Sequence, residues 1–167
     1  MFVHKKKYFF IIESIKKVNL DNLKNLNKFN IIYRATKIKD KKEDLLKFRK
    51  ICKRKRINFY VANNIQLLKS IQADGIYISA YNKDLKYKFY KKMNYKIIGS
   101  AHNLSEIKLK KLQGCTTIFL SRLFKTNYKD KNGHLGIIKY NLFPYIKFLS
   151  ALGGINKNNF NQLRNIK

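Results

Sequence analysis

Seven times along this chain a short run of β-branched or aromatic residues gives way to a longer, lysine-rich stretch with helical spacing. The predicted strands are Tyr8–Glu13, Asn30–Arg34, Asn58–Ala62, Gly75–Ser79, Lys96–Gly99, Thr117–Ser121 and Lys147–Ala151. The predicted helices are Asp21–Leu26, Lys42–Lys53, Ile65–Ile71, Lys83–Lys92, Leu104–Leu112, Leu135–Tyr140 and Asn158–Arg164. In the second of these, Leu45, Leu46, Phe48 and Cys52 recur at helical spacing. Asn103, with Glu106 three residues on, has the form of a capping box at the start of the fifth. Successive βα units impose a parallel sheet, because parallel neighbours need a crossover, usually helical. The repeat is about two dozen residues, close to the roughly 30 per unit of a typical eightfold barrel. The alternative, an open doubly wound sheet, would carry GxGxxG after its first strand, and nothing of that kind follows Tyr8–Glu13. The expected fold is α/β, a TIM-type (β/α)8 barrel, with one gap: no eighth strand is visible after Asn158–Arg164.

With 167 residues, 45% of them hydrophobic, and no linker-like stretch, residues 1–167 are expected to form a single domain with a proper core. The formal charge of +29 invites a nucleic-acid reading. The lysines, however, are spread through nearly every segment, beside an excess of Asn, Ile, Tyr and Phe. A bias acting on the whole sequence, with solvated lysine faces, is the preferred account. The cationic run Arg49–Arg56 likewise reads as a solvated helix end rather than an RNA contact. Cys52 and Cys115 lack metal spacing and read as buried free thiols. His4 and His134 fall in predicted loops and do not suggest zinc. The apolar run Tyr8–Ile12 ends at Glu13, too short for a signal peptide, and no segment is long enough to span a membrane, so a cytoplasmic protein is expected.

In such a barrel the chemistry lies at the C-terminal ends of the strands. Those ends supply Arg34, Asn63-Asn64, Ser79 with Asn82 and Asp84, Ser100 with His102, the segment Arg122 to Lys129, and Gly153-Gly154. Cations, amides, hydroxyls and bare backbone suit a phosphorylated ligand. Gly153-Gly154-Ile155-Asn156 is the most informative segment: glycines let the backbone approach a ligand, and a following helix would aim free N–H groups at it. A plain tight turn is the competing reading.

Several segments are similar, in order, to thiamine phosphate synthases and the related thiazole tautomerases. Phe59–Asn64 resembles a strand end that normally closes in Asn-Asp. Ala73-Asp74-Gly75-Ile76-Tyr77-Ile78 resembles Ala-Asp-Gly-Val-His-Leu, and Gly99-Ser100-Ala101-His102 a shortened Gly-x-Ser-x-His. Phe124–Lys129 resembles Phe-x-Thr-x-Thr-Lys, followed by Gly136. Ala151–Asn156 is similar to the seventh-strand signature.

The resemblance implies a transferase that joins hydroxymethylpyrimidine pyrophosphate to a thiazole phosphate, giving thiamine phosphate and pyrophosphate. It implies that Arg34 and Lys129 grip the pyrophosphate, that Asn63 and Ser100 hydrogen-bond to it, and that Thr126 with Gly153 and Gly154 holds the thiazole phosphate. It also implies Mg²⁺, with ligands at Asn64 and at Asp84 (or Asn82, if no residues are inserted). His102 stands where the tautomerase branch is thought to move protons, although synthases carry a histidine there too. The departures are specific. Only Arg34 remains of Gln-x-Arg-Glu-Lys on the second strand, with Lys37 a substitute for its lysine; the first metal aspartate is Asn64; and the second threonine of Thr-x-Thr-Lys is Tyr128. Tautomerase activity and a degenerate phosphate- or nucleic-acid-binding barrel are therefore the alternatives. Small phosphorylated substrates are the expected partners, and a homo-oligomer, with a second chain completing the wall, is compatible with the pattern.

Overall fold

The computed structural model describes residues 2–4, 7–20, 28–37, 40–125, 133–143, 149–156 and 158–166. Eight strands close into a barrel in sequence order. They are β1 (Phe2–His4), β2 (Lys7–Ile12), β3 (Phe29–Tyr33), β4 (Asn58–Ala62), β5 (Gly75–Ile78), β6 (Lys96–Ala101), β7 (Thr117–Ser121) and β8 (Leu149–Leu152). From β2 to β8 every neighbouring pair is parallel. The gap left by the missing eighth parallel strand is filled from the other end of the sequence. β1 runs antiparallel to both β2 and β8, with Val3 opposite Tyr8 on one side and Ala151 on the other. Placing His4 in a loop is corrected accordingly, because His4 pairs with Lys7 in this strand. Three residues gave too little alternation for a strand to be legible.

The helices are α1 (Lys42–Arg54), α2 (Ile65–Ser70), α3 (Tyr87–Lys92), α4 (Leu104–Leu112) and α5 (Gly136–Asn141). Predicted helix Asp21–Leu26 lies outside the described residues. α3 starts four residues later than expected because its approach is a turn: Asn82 Oδ1 accepts from Asp84 N–H and Asp84 Oδ1 from Lys86 N–H. Such Asx-type bonds compete with helix for the same backbone groups. The last predicted helix is a 3-10 segment, Phe160–Asn165.

Period-two alternation sorts the strand residues into two cores. Inside the barrel, Phe9, Ile32, Tyr60, Tyr77, Ile98 and Phe119 pack together, with Phe9 and Phe119 edge to face at 4.9 Å. Outside, Ile31, Phe59, Ile76, Ile97 and Ile118 meet the helices through residues such as Leu45, Leu68 and Ile107. The lumen is thus a packed plug, and any ligand must sit above it. Cys52 and Cys115 are buried free thiols, as expected, and burial pushes both up to about 12.

Two sequence motifs are structural. Asp74 of Ala-Asp-Gly receives Arg49 Nη2 at 2.6 Å and Phe59 N–H at 2.8 Å, which locks α1 to the β4–β5 pair. Arg49 also donates to Gln72 O and is buried, so one member of the run read as a solvated helix end is an interior ion pair. Gly75 follows because a Cβ there would collide with the Lys96 carbonyl of β6.

Candidate functional site

At the C-terminal ends of β4 and β5, polar side chains are tied to one another. Asn63, at φ 54°, gives its amide hydrogens to Ser79 Oγ (2.7 Å) and Tyr81 Oη (3.3 Å). Its Oδ1 accepts from Ser79 N–H and from Asn82 Nδ2, and its carbonyl accepts from Tyr87 Oη. Asn63 thus builds the rim, and both ends of its amide are occupied. Behind it, Lys110 is fully buried and donates to Asn82 O (2.7 Å) and Gln113 Oε1 (2.8 Å). Gln113 Nε2 donates to Asn82 O and Asp84 O. α4 therefore clamps the 82–84 turn through two side chains. Burial among neutral partners lowers the Lys110 pKa.

At β3, Arg34 donates its backbone N–H to Ile12 O, and its side chain is exposed. Among the described residues its guanidinium makes no hydrogen bond or ion pair. Its charge is close enough to lower the pKa of Tyr77, although burial dominates and the phenol is raised overall. Tyr77 therefore stays protonated and donates to Ser100 Oγ at 2.8 Å. That fixes Ser100 as acceptor toward the lumen and leaves its own hydrogen to donate elsewhere. Beside Arg34, a cavity of about 280 Å³ lies over β2 and β3, lined by Glu13, Ser14, Lys17, Ala35, Thr36 and Lys37.

At β6, Asn103 caps α4 by accepting from Glu106 N–H at 2.9 Å, as expected. Glu106 Oε2 accepts the His102 backbone N–H at 2.8 Å and lies 3.1 Å from His102 Nδ1. A carboxylate at Nδ1 favours the tautomer with the proton there and leaves Nε2 open.

At β8, Gly153 and Gly154 both have left-handed backbones, at φ 90° and 71°. A Cβ on Gly154 would lie 2.5 Å from Phe124 O and Lys125 O, and one on Gly153 3.1 Å from the Arg122 side chain. The β7 loop folds onto them, with Phe124 N–H donating to Gly153 O. Among the described residues the N–H groups of Gly153 and Gly154 donate to nothing. The following segment does not present a helix N-terminus: Asn156 Oδ1 accepts from Asn158 and Asn159 N–H, and Asn159 Oδ1 from Asn156 N–H. The seat is made of two glycine amides beside Arg122, without the helix dipole that the sequence suggested. Thr126 and Lys129 lie outside the described residues.

A family model described as thiamine monophosphate synthase matches residues 23–167. The chain belongs to this family. It is 33% identical over 122 residues to a thiamine-phosphate synthase of Prochlorococcus marinus, covering 70% of this chain and 34% of that protein. It is 29% identical over 130 residues to one of Staphylococcus epidermidis, covering 75% and 61%. The chain thus spans about a third of the first relative and under two thirds of the second. A thiamine phosphate pyrophosphorylase of Pyrococcus furiosus shares the fold, with a TM-score of 0.66 at 16% identity over 96% of this chain and 82% of that one.

Within this family member the two positions expected to ligate Mg²⁺ are otherwise engaged. Asn64 Oδ1 caps α2 by accepting Leu67 N–H at 2.8 Å. Asp84 accepts Lys86 N–H with one oxygen and pairs with the Lys86 ammonium through the other, which holds its carboxyl below the ordinary value. Among the described residues no group of three His, Cys, Asp or Glu side chains could hold a metal. Among the described residues, these two positions do not fit the ion. The sequence reasoning missed Tyr77, Lys86, Lys110 and Gln113. Tyr77 had a usable signal, because period two along β5 and the pairing of Tyr77 with Ile98 turn it and Ser100 into the same lumen. Among the described residues, no helix is long and apolar enough to cross a membrane.

Proposed function

We propose that the protein is a thiamine phosphate synthase, a transferase that joins hydroxymethylpyrimidine diphosphate to thiazole phosphate. The observation that carries this reading is the pair of amides at Gly153 and Gly154 beside Arg122, unspent among the described residues, on a barrel whose Arg34 and Ser100 also keep donors open among those residues. In this reading the glycine amides hold the thiazole phosphate, together with Thr126. Arg34, the Ser100 hydroxyl and Lys129 meet the diphosphate. As the diphosphate departs, negative charge collects on its oxygens, and fixed donors stabilise that charge at no reorganisation cost. Holding the thiazole nitrogen against the methylene carbon that loses the diphosphate supplies the rest by proximity. Asn63 shapes the rim and stays out of the contact set. Incubation with both substrates, with and without Mg²⁺, should yield thiamine phosphate; none under either condition sinks the proposal.

The His102–Glu106 pair favours a second reading, thiazole tautomerase, in which Nε2 shuttles the proton. That reading requires turnover of the thiazole phosphate alone, and a full rate in His102→Ala would remove it.

A further inference from the structure

We propose that this chain binds diphosphate without a divalent cation, the charge being met by protein cations led by Arg34. The inference rests on the diphosphate-handling function proposed above. Mg²⁺ demands near-octahedral oxygen ligands and is usually held by one or two carboxylates. At the first expected position Asn64 offers a neutral carbonyl oxygen that already caps α2. At the second, the Asp84 carboxylate already accepts the Lys86 N–H and pairs with the Lys86 ammonium, so a metal there would compete with a cation in place. The ungapped alternative, Asn82, is spent as well: Nδ2 goes to Asn63 Oδ1 and Tyr87 Oη, Oδ1 accepts from Asp84 N–H, and the main-chain carbonyl carries Lys110 and Gln113. Lys86 also stands over the Tyr87 ring, 5.9 Å from its centroid, which fixes a cation beside the rim. The rim has therefore replaced a carboxylate pair by amides and a lysine–aspartate pair.

At the end of the neighbouring strand β3, Arg34 is exposed with its guanidinium unspent among the described residues. Its fork of N–H donors matches two phosphate oxygens at once and carries a charge that never titrates away. Thirty-eight cationic side chains against nine acidic ones provide a surrounding field of the right sign.

Calorimetry with inorganic pyrophosphate, in EDTA and in saturating Mg²⁺, tests this on wild type, Arg34→Ala and Asp84→Ala. The expected result is wild-type binding in EDTA within about threefold of that in Mg²⁺, a loss of about tenfold or more in Arg34→Ala, and equal or tighter binding in Asp84→Ala, where Lys86 is released. Thermal melts establish that each variant is folded. Affinity that collapses in EDTA, with Asp84→Ala losing the Mg²⁺-dependent part, overturns the inference and leaves the synthase reading standing. An absence of pyrophosphate binding under both conditions overturns the two together.

Discussion

The β4–β5 rim and the β8 rim of the same barrel use polar groups in opposite ways. At β4–β5, Asn63, Ser79, Asn82 and Tyr87 satisfy one another, and Lys110 and Gln113 clamp them from behind. At β8 the glycine carbonyls are met, Gly153 O by Phe124 N–H and Gly154 O by Asn159 Nδ2, but among the described residues the two glycine N–H groups donate to nothing. A buried polar group that is paired contributes to stability but has little left to give a ligand, whereas an unpaired donor at a mouth keeps its capacity for one. In the proposed reading one rim is scaffold and the other is seat, although both carry residues that the family resemblance assigns to binding.

Four substitutions would break or sharpen that contrast. The largest effect is expected at the seat: Gly154→Ala places a Cβ against the Phe124 and Lys125 carbonyls in a left-handed backbone. Strain and overpacking together should cost about 4 kcal/mol or displace the β7 loop. Phosphate affinity measured by calorimetry should fall with it, and unchanged affinity in a folded variant would show that the seat lies elsewhere. Next comes Asn63→Ala, which strands Ser79 N–H and should lower stability in urea by about 3 kcal/mol. A drop below about 1 kcal/mol would return Asn63 to the ligand-binding set.

Lys110→Met should cost about 2 kcal/mol by leaving Gln113 Oε1 unpaired. Its pH signature is more telling. The folded pKa of Lys110 is lowered, so between that value and the unfolded 10.5 the unfolded chain binds more protons. This group's contribution to stability therefore rises with pH across that window and is least favourable below it, where the buried amine is charged. The Met variant should lose that rise in a series of alkaline melts. The smallest effect is expected for Tyr77→Phe, about 1 kcal/mol in stability. Its informative readout is catalytic, because loss of the donor that orients Ser100 should lower kcat more than it raises KM, with no change in the pH profile.

The elements that the sequence made legible were those written by composition and cap. β4, β7 and α4 have their predicted bounds, because Asn58–Ala62 and Thr117–Ser121 are short apolar runs rich in β-branched and aromatic residues, buried on both faces, and Asn103 with Glu106 marks a start. α3 was misplaced because Lys83–Lys92 has helical composition, while the bonds of Asn82 and Asp84 that delay it are local side-chain choices. At the site, residue identity pointed to the correct strand ends for Arg34, Ser100, Gly153 and Gly154. Availability was another matter. Asn63 and Asp84 are the right types for their supposed tasks, and only their partners, Ser79 and Lys86, show them engaged elsewhere. Identity is local information, whereas occupancy depends on what the fold brings alongside.

The antiparallel β1 has a bearing on the seat as well. All the other neighbouring strands are consecutive in the chain, but the seam between Val3 and Ala151 joins residues separated by almost its whole length. The entropy of closing so long a loop grows only logarithmically, yet its search is the slowest kind a chain performs. β8 ends directly in Gly153 and Gly154, so those two glycines hang from the strand that this seam closes. Loosening β1 is therefore expected to reach the backbone at Gly153 and Gly154 before it reaches the core.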